Sequence, residues 1–187
     1  MASLFSHAIV GATLGQTGNK EWRTDWRFWA LGLVCSTLPD IDVIGFRFGI
    51  HYGDLWGHRG TAHSLLFAGI IAAVAATFIR PSRNRASLVF LFFLIAASHG
   101  MLDALTSGGL GVAFFSPFDP HRYFFPWPPI RVSPIGVGRF FSVRGIAVLK
   151  SEFIWIWMPA AAVMAMFWAS RSFRKVVPLP VVEGQDP

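Results

Sequence analysis

Long runs of apolar residues alternate along the chain with short groups of charged residues. The runs cover residues 4–14, 26–38, 62–79, 88–105 and 153–169. The first two hold about a dozen residues each and would cover roughly 20 Å as helices, whereas about 20 residues, within a range of about 17–25, are needed to cross the ~30 Å hydrocarbon core of a bilayer. The pattern predicts an all-α, integral membrane helical bundle of about five membrane segments, three of them complete spans. Pro39 is expected to end the second segment, and Pro159 to kink the last without breaking it.

A long connection, residues 106–151, separates the fourth run from the fifth. It is rich in glycine, proline and aromatic residues, most densely at 114–118 and 123–129. The connection is too apolar to lie free in water and too rich in proline to form a helix, so we expect it to lie at headgroup depth and cap one face of the bundle. An ordinary interfacial belt of aromatic residues is the alternative. Residues 1–176 are expected to form one membrane-embedded domain, followed by a disordered tail over 177–187.

The composition agrees with a membrane protein and narrows the choice of partners. Hydrophobic residues make up 53% and charged residues only 14% of the chain, against about 25% charged in an ordinary soluble domain. The net charge of +6 comes from scattered short groups, so we expect the bilayer and anionic lipid as partners, and no nucleic acid. The single cysteine, Cys35, excludes an intrachain disulfide and a thiolate metal cluster. The first run has no basic residue before it, so it is expected to be retained.

Basic residues fall into three groups at the same end of the predicted segments. The groups are Lys20, Arg23 and Arg27; Arg80, Arg83 and Arg85; and Arg171, Arg174 and Lys175. Cytoplasmic ends of membrane segments are enriched in Lys and Arg, so we expect this end in the cytoplasm and the opposite, active face in the periplasm. Five basic residues of the long connection would then lie outside, against the rule: Arg122, Arg131, Arg139, Arg144 and Lys150.

Histidine and aspartate are concentrated at the opposite ends of the same segments. The chain has ten acidic residues and six histidines, and seven of these sixteen belong to this group: His7, Asp40, Asp42, His58, His63, His99 and Asp103. Ionisable groups inside or beside apolar spans are costly, and they usually line a cavity, pair with one another or bind an ion. We therefore expect these side chains to converge on one face of the bundle, whichever way the chain is oriented.

Spacing predicts how two of the pairs are presented. His99 and Asp103 are four residues apart, so on a helix they share one face and can bind one ion or bridge two. Asp40 and Asp42 are two residues apart after a proline, and in an extended segment both carboxylates would point the same way.

The two remaining histidines of the group are five residues apart, a poor spacing for one helical face. We expect His58 in a loop and His63 in the first turn of a helix, with Thr61 as the N-cap. Other ionisable residues in the connections are expected to be solvated and outside the site: His51, Asp54, Asp119 and His121.

A mixed set of imidazole and carboxylate ligands suits zinc, manganese or iron(II) better than calcium or magnesium, which prefer oxygen. We predict one or two divalent metal ions, with zinc as the first choice, held by the seven residues of the group. Two such ions would leave a net positive centre beside Arg59 and attract a phosphate, and they would lower the pKa of a bound water that attacks a phosphoester. Asp40, Asp42 and Arg59 are the candidates for catalytic roles.

The motifs that carry these residues resemble those of a known family. They are His7 in the first run, Leu-Pro-Asp-Ile-Asp at 38–42, His-Arg-Gly-Thr-Ala-His-Ser at 58–64 and His-Gly-Met-Leu-Asp-Ala-Leu-Thr at 99–106. Together with 125–136 they are similar to the YdjM family of bacterial inner-membrane, metal-dependent hydrolases, over roughly residues 1–140. That family is grouped with zinc-dependent phospholipase C and P1-type nucleases, helical enzymes in which His and Asp hold a zinc cluster.

The resemblance implies a multi-pass protein of the bacterial inner membrane that hydrolyses a phosphoester of a membrane lipid or lipid-linked substrate with a metal-bound hydroxide. The sequence offers no second His-x3-Glu/Asp helix, so a full three-metal cluster is not expected. Two alternatives stay open: an ion- or proton-coupled transporter that uses the same residues, and a non-catalytic membrane scaffold. The transporter is disfavoured by the small number of spans and the lack of an inverted repeat. A haem site is disfavoured by the clustered carboxylates.

Overall fold

The structure, a computed structural model, describes residues 1–80 and 84–176 and is all-helical there. Its elements are α1 (Leu4–Gly15), α2 (Lys20–Thr24), α3 (Trp26–Thr37), a 3-10 helix (Leu38–Phe48), a 3-10 turn (Thr61–His63), α4 (Leu65–Thr77), α5 (Arg85–Ala104), α6 (Val137–Phe140), α7 (Val143–Glu152), a π-helical turn (Phe153–Trp157) and α8 (Met158–Val176). Isolated β-bridges join Thr106 to Ile130 and Val112 to Tyr123. Arg83 and the tail predicted over 177–187 lie outside the described residues.

Three helices of the described chain are long and apolar enough to cross a membrane: Trp26–Phe48, Arg85–Ala104 and Val143–Ser172. Two apolar helices, α1 and α4, are shorter, at 12 and 13 residues. All five apolar runs therefore form helices. However, one run predicted as a complete span gives a short helix, and one predicted as short gives a long one. The run 62–79 gives only the 13 residues of α4, and the run 26–38 continues into a 23-residue helical segment.

Pro39 continues the second segment where we expected it to end. It lies in the first turn of the 3-10 helix that follows α3. In a first turn the missing N–H is not needed and the fixed φ of proline suits a helix. The extended conformation predicted for residues 40–42 is therefore wrong, since both aspartates lie in a helical turn.

Helix α4 begins later than predicted because Ser64, not Thr61, is its cap. The Ser64 hydroxyl accepts a hydrogen bond from the N–H of Phe67, which satisfies one of the free donors of a helix start. Thr61 instead belongs to the separate 3-10 turn, and its hydroxyl donates to the carbonyl of Leu55. This break leaves His63 in the 3-10 turn, outside α4.

Helix α5 is the centre of the bundle and contacts α1, α3 and α4. A stripe of alanines on α4, at positions 68, 72, 75 and 76, is buried against this core, and small residues allow helices in a membrane to approach closely. Gly11 does the same for α1, because a Cβ there would lie 2.7 Å from the Cβ of Ser36 on α3.

The two ends of the bundle differ in charge. At one end Arg171 of α8 donates to the side-chain and backbone oxygens of Gln16 just after α1, and Arg85 donates to the carbonyls of Ala76 and Ile79 at the end of α4. The predicted gathering of basic residues at one end is therefore seen in the described residues. At the other end Glu152 of α7 reaches Ser3, the cap of α1.

The connection 106–151 is only partly irregular. Residues 137–140 and 143–152 form α6 and α7, so the expectation that the whole connection is non-helical is wrong. Prolines are confined to residues 117–134 of this connection, which leaves the following stretch free to form helix. The π-helical turn lies immediately before Pro159, where the missing N–H of the proline perturbs the hydrogen-bond ladder.

Candidate metal centre

The seven predicted site residues converge at the end of the bundle opposite the basic groups. They come from α1, the 3-10 helix, the following loop, the 3-10 turn and the C-terminal half of α5. Six of the seven are buried, and the side chain of Asp42 is only 5% exposed. A set of ionisable groups enclosed to this degree must be paired with one another or hold an ion.

Four of these side chains, Asp40, His63, His99 and Asp103, surround one point. One ligand atom from each lies within 4.8 Å of the others. His99 Nε2 is 3.1 Å from His63 Nε2 and 3.3 Å from Asp40 Oδ1. His63 Nε2 is 3.7 Å from Asp40 Oδ1 and 3.5 Å from Asp103 Oδ2. Ligand atoms about 2.0–2.1 Å from a tetrahedral zinc ion would be about 3.3 Å apart, so this spacing fits a single ion.

The two histidines present their Nε2 atoms to this point because their other nitrogens face the protein. His99 Nδ1–H donates to the carbonyl of Ser36 at 2.8 Å, which leaves the Nε2 lone pair free for a ligand role. His63 Nδ1 lies 3.1 Å from Asp42 Oδ2. A carbonyl or carboxylate behind an imidazole fixes the ring and its tautomer in metal sites.

Asp42 lies behind the four-residue cluster and faces a different set of partners from Asp40. Its Oδ1 accepts a 2.7 Å hydrogen bond from His58 Nδ1, and its Oδ2 accepts one from the N–H of Arg59. Asp42, His58 and His63 form a second group whose ligand atoms could hold an ion. Asp42 already contacts the imidazoles of His58 and His63. It is therefore better placed to orient His63 than to bind the metal ion itself.

Arg59 is completely buried, and each of the three nitrogens of its guanidinium donates to another residue. Nε donates to Asp103 Oδ2 at 3.1 Å, and the terminal nitrogens donate to the Gly108 carbonyl and the Thr106 hydroxyl. Its backbone φ is 66°, in the left-handed region. The catalytic role that the sequence suggested for Arg59 stays a prediction, while the observed contacts assign it to holding Asp103 and compensating its charge.

His7 lies against the cluster without joining the four-atom set. Its ring stacks on His99 with centroids 3.7 Å apart, and its Nε2 is 3.5 Å from Asp103 Oδ1. That carboxylate oxygen also accepts a 2.7 Å hydrogen bond from the N–H of Ala2. His7 is therefore placed to contribute an additional ligand or to exchange a proton at the site.

Several buried polar atoms of the site lack a hydrogen-bond partner in the described structure. They are both ring nitrogens of His7, both carboxylate oxygens of Asp40, His58 Nε2 and His63 Nδ1, the last because its approach to Asp42 is poorly aligned. Buried polar atoms are rarely left without partners, and a bound ion or water would satisfy a cluster of this kind. These unpartnered atoms are the observation that supports a metal ion among these residues.

The electrostatic field at His63 also favours a cation. Burial by itself lowers the pKa of this imidazole, but its close contacts with the negatively charged carboxylates around it, Asp103 first, outweigh burial and raise the pKa well above its usual value. The same field that stabilises an imidazolium stabilises a metal ion in its place.

The structure adds residues that the sequence did not single out. The backbone carbonyl of Ser36 orients His99. Gly100 allows the 3-10 turn to approach α5, because a Cβ there would lie 2.9 Å from the carbonyl oxygen of His63. Glu152, also completely buried, accepts hydrogen bonds from the N–H and hydroxyl of Ser3 and from the hydroxyl of Ser6. In the sequence, Glu152 could have been noticed only as an acidic residue that follows Lys150 and Ser151 at the start of an apolar run.

The residues predicted to be solvated do not join the cluster. The side chain of His51 is 87% exposed and that of Asp54 is 52% exposed. Asp119 accepts from the hydroxyl of Tyr123 and the N–H of His121 within the long connection.

The irregular part of the long connection packs over the site end of the bundle. The N–H of Ala113 donates to the carbonyl of Arg59, and the carbonyl of Phe114 accepts from the N–H of Leu65. Arg122 donates to the carbonyls of Tyr52, Asp54 and His58. The loop that carries His58 is thereby tied to the long connection.

Comparison with known proteins gives the same assignment as the sequence motifs. The family model described as YdjM inner membrane protein matches residues 1–176. The inner membrane protein YbcI of Escherichia coli (strain K12) is 37% identical over 175 residues, which cover 91% of this chain and 99% of that protein. No solved structure matches the chain. The predicted family and inner-membrane location are confirmed: this chain is an inner-membrane protein that belongs to the YdjM family.

Proposed function

We propose that the protein is a membrane-bound, metal-dependent hydrolase that cleaves a phosphoester of a lipid or lipid-linked substrate. The observation that carries this proposal is the buried cluster of Asp40, His63, His99 and Asp103, with both oxygens of Asp40 unpartnered. A purely structural cluster would be expected to hydrogen-bond both oxygens of each carboxylate, since a buried polar atom without a hydrogen bond is destabilising.

The donor set of two imidazoles and two carboxylates suits zinc first and manganese or iron(II) next. When bound, such an ion would activate water near neutral pH and offset the negative charge that develops on a phosphoryl group. Asp40, His63, His99 and Asp103 are the residues that would hold it.

The surrounding side chains have separate tasks in this proposal. Asp42 orients His63, and Arg59 holds Asp103 in place while compensating its charge. His7, whose ring nitrogens lack partners, is the candidate for moving a proton. Asp40 Oδ2, which faces no donor among the described residues, is the candidate for accepting a proton from the attacking water.

A lipid substrate is supported by where the cluster lies. The site is at one end of an apolar bundle, beneath a connection whose aromatic side chains are well exposed, including Phe115, Phe118 and Trp127. Aromatic side chains concentrate at membrane interfaces, so in our proposal the connection lies at headgroup depth and acts as the cap of the site. In this proposal the site lies on the periplasmic side, which is supported by the basic residues at the opposite end.

Transport receives less support from the geometry. Carriers bind their ions near the middle of the membrane, commonly between repeated halves, whereas here His7 is in the second turn of α1 and Asp103 is in the last turn of α5. A scaffold without catalysis would not explain why the buried carboxylate oxygens of Asp40 and the ring nitrogens of His7 lack hydrogen bonds.

The proposal is tested by the metal content of detergent-purified protein, measured by plasma mass spectrometry. We expect about one or two equivalents of zinc, manganese or iron per protomer. His99→Ala/Asp103→Ala is expected to lose the metal and the hydrolysis of phospholipid or polyprenyl-phosphate substrates together. His51→Ala/Asp54→Ala, which removes the same residue types from an exposed loop, is the matched control and should keep both.

Wild-type protein that binds no metal even after reconstitution would overturn the metal site. Bound metal with no turnover on any phosphoester, in protein shown to be folded, would instead favour a transport or scaffold role. Metal flux into liposomes would separate those two.

A further inference from the structure

Two arginines of the long connection face a groove beside the candidate metal centre. Arg131 and Arg144 line a groove of about 710 Å³ together with Ser107, Val132 and Val148, and we call it the basic groove. Ser107 is four residues after Asp103, and its N–H donates to the carbonyl of Ile130 at 2.8 Å. The groove therefore begins where the site-bearing helix α5 ends.

The guanidinium groups of both arginines have no partner among the described residues. Arg131 uses only its backbone N–H, which donates to the hydroxyl of Ser151. Both arginines are exposed, and no described carboxylate pairs with either. Two unpaired guanidiniums in one groove form a site that matches a phosphate, because each can donate two parallel hydrogen bonds to its oxygens.

The depth of the groove in the membrane agrees with a lipid phosphate. Arg144 is the second residue of the 30-residue helical segment Val143–Ser172. A helix of that length covers about 45 Å, so it exceeds the ~30 Å hydrocarbon core by about 15 Å. Even with the excess divided between both ends, about the first five residues stand at headgroup depth. The positive charge of Arg144 lies at the end expected outside the cytoplasm, against the usual enrichment of Lys and Arg at cytoplasmic ends, and needs a separate cause.

An apolar furrow continues from the basic groove. Val143 lines both the groove and a hollow formed with Phe140, Phe141 and Ile146. The two phenylalanines also line a groove of about 390 Å³ between α1 and the 3-10 helix, where Phe5 and Val43 complete the wall. Val43 follows Asp42 directly, so the furrow ends beside the candidate metal centre.

We propose that the basic groove binds the phosphate of an anionic phospholipid from the surrounding leaflet, with one hydrocarbon chain lying in the apolar furrow. The arrangement matches both halves of such a molecule: a charged end at Arg131 and Arg144, and an apolar course along Phe140, Phe141 and Phe5. That this lipid is a substrate waiting beside the metal centre rests on the proposed function; the binding itself does not.

The test is a titration of delipidated protein in detergent with phosphatidylglycerol, followed by native mass spectrometry. Each arginine near a phosphate adds about 1 kcal/mol, so Arg131→Gln/Arg144→Gln should weaken phosphatidylglycerol binding roughly tenfold or more. Arg139→Gln/Lys150→Gln removes the same charge from the same end without touching the groove, and should bind within about twofold of wild type. Phosphatidylcholine, whose own ammonium group offsets the phosphate charge, should bind more weakly than phosphatidylglycerol to the wild type.

Equal phosphatidylglycerol binding by the wild type and Arg131→Gln/Arg144→Gln would overturn the proposal. So would competition by inorganic phosphate at concentrations equal to those of the lipid, which would assign the groove to a soluble anion. His99→Ala is titrated in parallel and should bind the lipid as wild type does. If the metal and hydrolysis tests fail but lipid binding depends on the two arginines, the proposed function is wrong and the lipid site in the basic groove stands. If metal binding and hydrolysis are found but lipid binding does not depend on the arginines, the proposed function stands and the lipid site is wrong.

Discussion

Two aspartates only two positions apart have different surroundings at this site. Asp40 faces His63 and His99 with no hydrogen-bond donor on either oxygen, whereas Asp42 is shared between His58 and the far side of His63. A 3-10 helix turns by about 120° per residue, so side chains two apart point in different directions. The same sequence motif thereby supplies one candidate ligand and one residue that orients a ligand.

Asp42→Asn should weaken metal binding without abolishing it, because the change removes the charge behind His63 and leaves the four candidate ligands in place. Loss of such a supporting partner costs about 10–100-fold in metal affinity. Competition with a chromogenic chelator measures the change, and Asp54→Asn, an exposed carboxylate in the neighbouring loop, is the control. Affinity equal to wild type would mean that Asp42 does not support His63.

Arg59→Met should destabilise the protein by about 3–5 kcal/mol in the absence of metal, because the buried carboxylate of Asp103 would lose its guanidinium partner. Thermal unfolding in detergent with a chelator present checks the loss. Arg47→Met, which alters an exposed arginine, should have little effect. Arg59→Met/Asp103→Asn should recover part of the stability, and a double variant as unstable as the single one would contradict a charge-pair role.

At the scale of the elements, a buried carboxylate ties the candidate span Val143–Ser172 to the start of α1. Glu152 accepts from Ser3 and Ser6, and Trp157 Nε1–H donates to the hydroxyl of Ser6 at 2.8 Å. Ser3 is also the N-cap of α1, and an acidic group at a helix start is favoured by the helix dipole. The contact sets the position of α1, and His7 is one turn further along that helix.

Glu152→Ala should lower the free energy of unfolding by about 3 kcal/mol, because buried donors of Ser3 and Ser6 would lose their acceptor at about 1–3 kcal/mol for each unsatisfied group. The midpoint of thermal unfolding in detergent is the measurement. Glu21→Ala, at an exposed position of α2, serves as the matched control. A Glu152→Ala midpoint as high as that of Glu21→Ala would show that the contact does not secure α1.

At the scale of the whole molecule, the two ends of the bundle have opposite chemistry. Arg23, Arg85 and Arg171 lie at one end, and the histidine and aspartate cluster lies at the other. The positive end is expected in the cytoplasm. The five basic residues of the long connection lie nearer the site end, and the lipid-binding role proposed for Arg131 and Arg144 accounts for two of them.

Labelling of single cysteines in intact cells tests this orientation. In a Cys35→Ala background, Phe118→Cys should react with a membrane-impermeant maleimide from outside, because Phe118 is 83% exposed at the site end. Lys20→Cys, an exposed position at the basic end, should react only after the cells are permeabilised. Labelling of Lys20→Cys but not Phe118→Cys in intact cells would reverse the orientation.

The sequence alone determined the helical class, the family, and the seven histidines and aspartates that gather at one end of the bundle. Apolar periodicity and length are local properties, and so is the spacing that places His99 and Asp103 on one face of a helix. Because the polar residues occur at alternate ends of successive runs, an antiparallel bundle must bring them together, and the described structure does bring all seven to one end.

Only the tertiary structure decided which of these residues meet at one point and which support them. The helical continuation through Pro39 separates the roles of Asp40 and Asp42, and the left-handed turn at Arg59 directs its guanidinium to Asp103. Glu152 found its partners 149 and 146 residues away. Contacts at such separations depend on how helices are packed, and no local pattern of hydrophobic and polar positions specifies them.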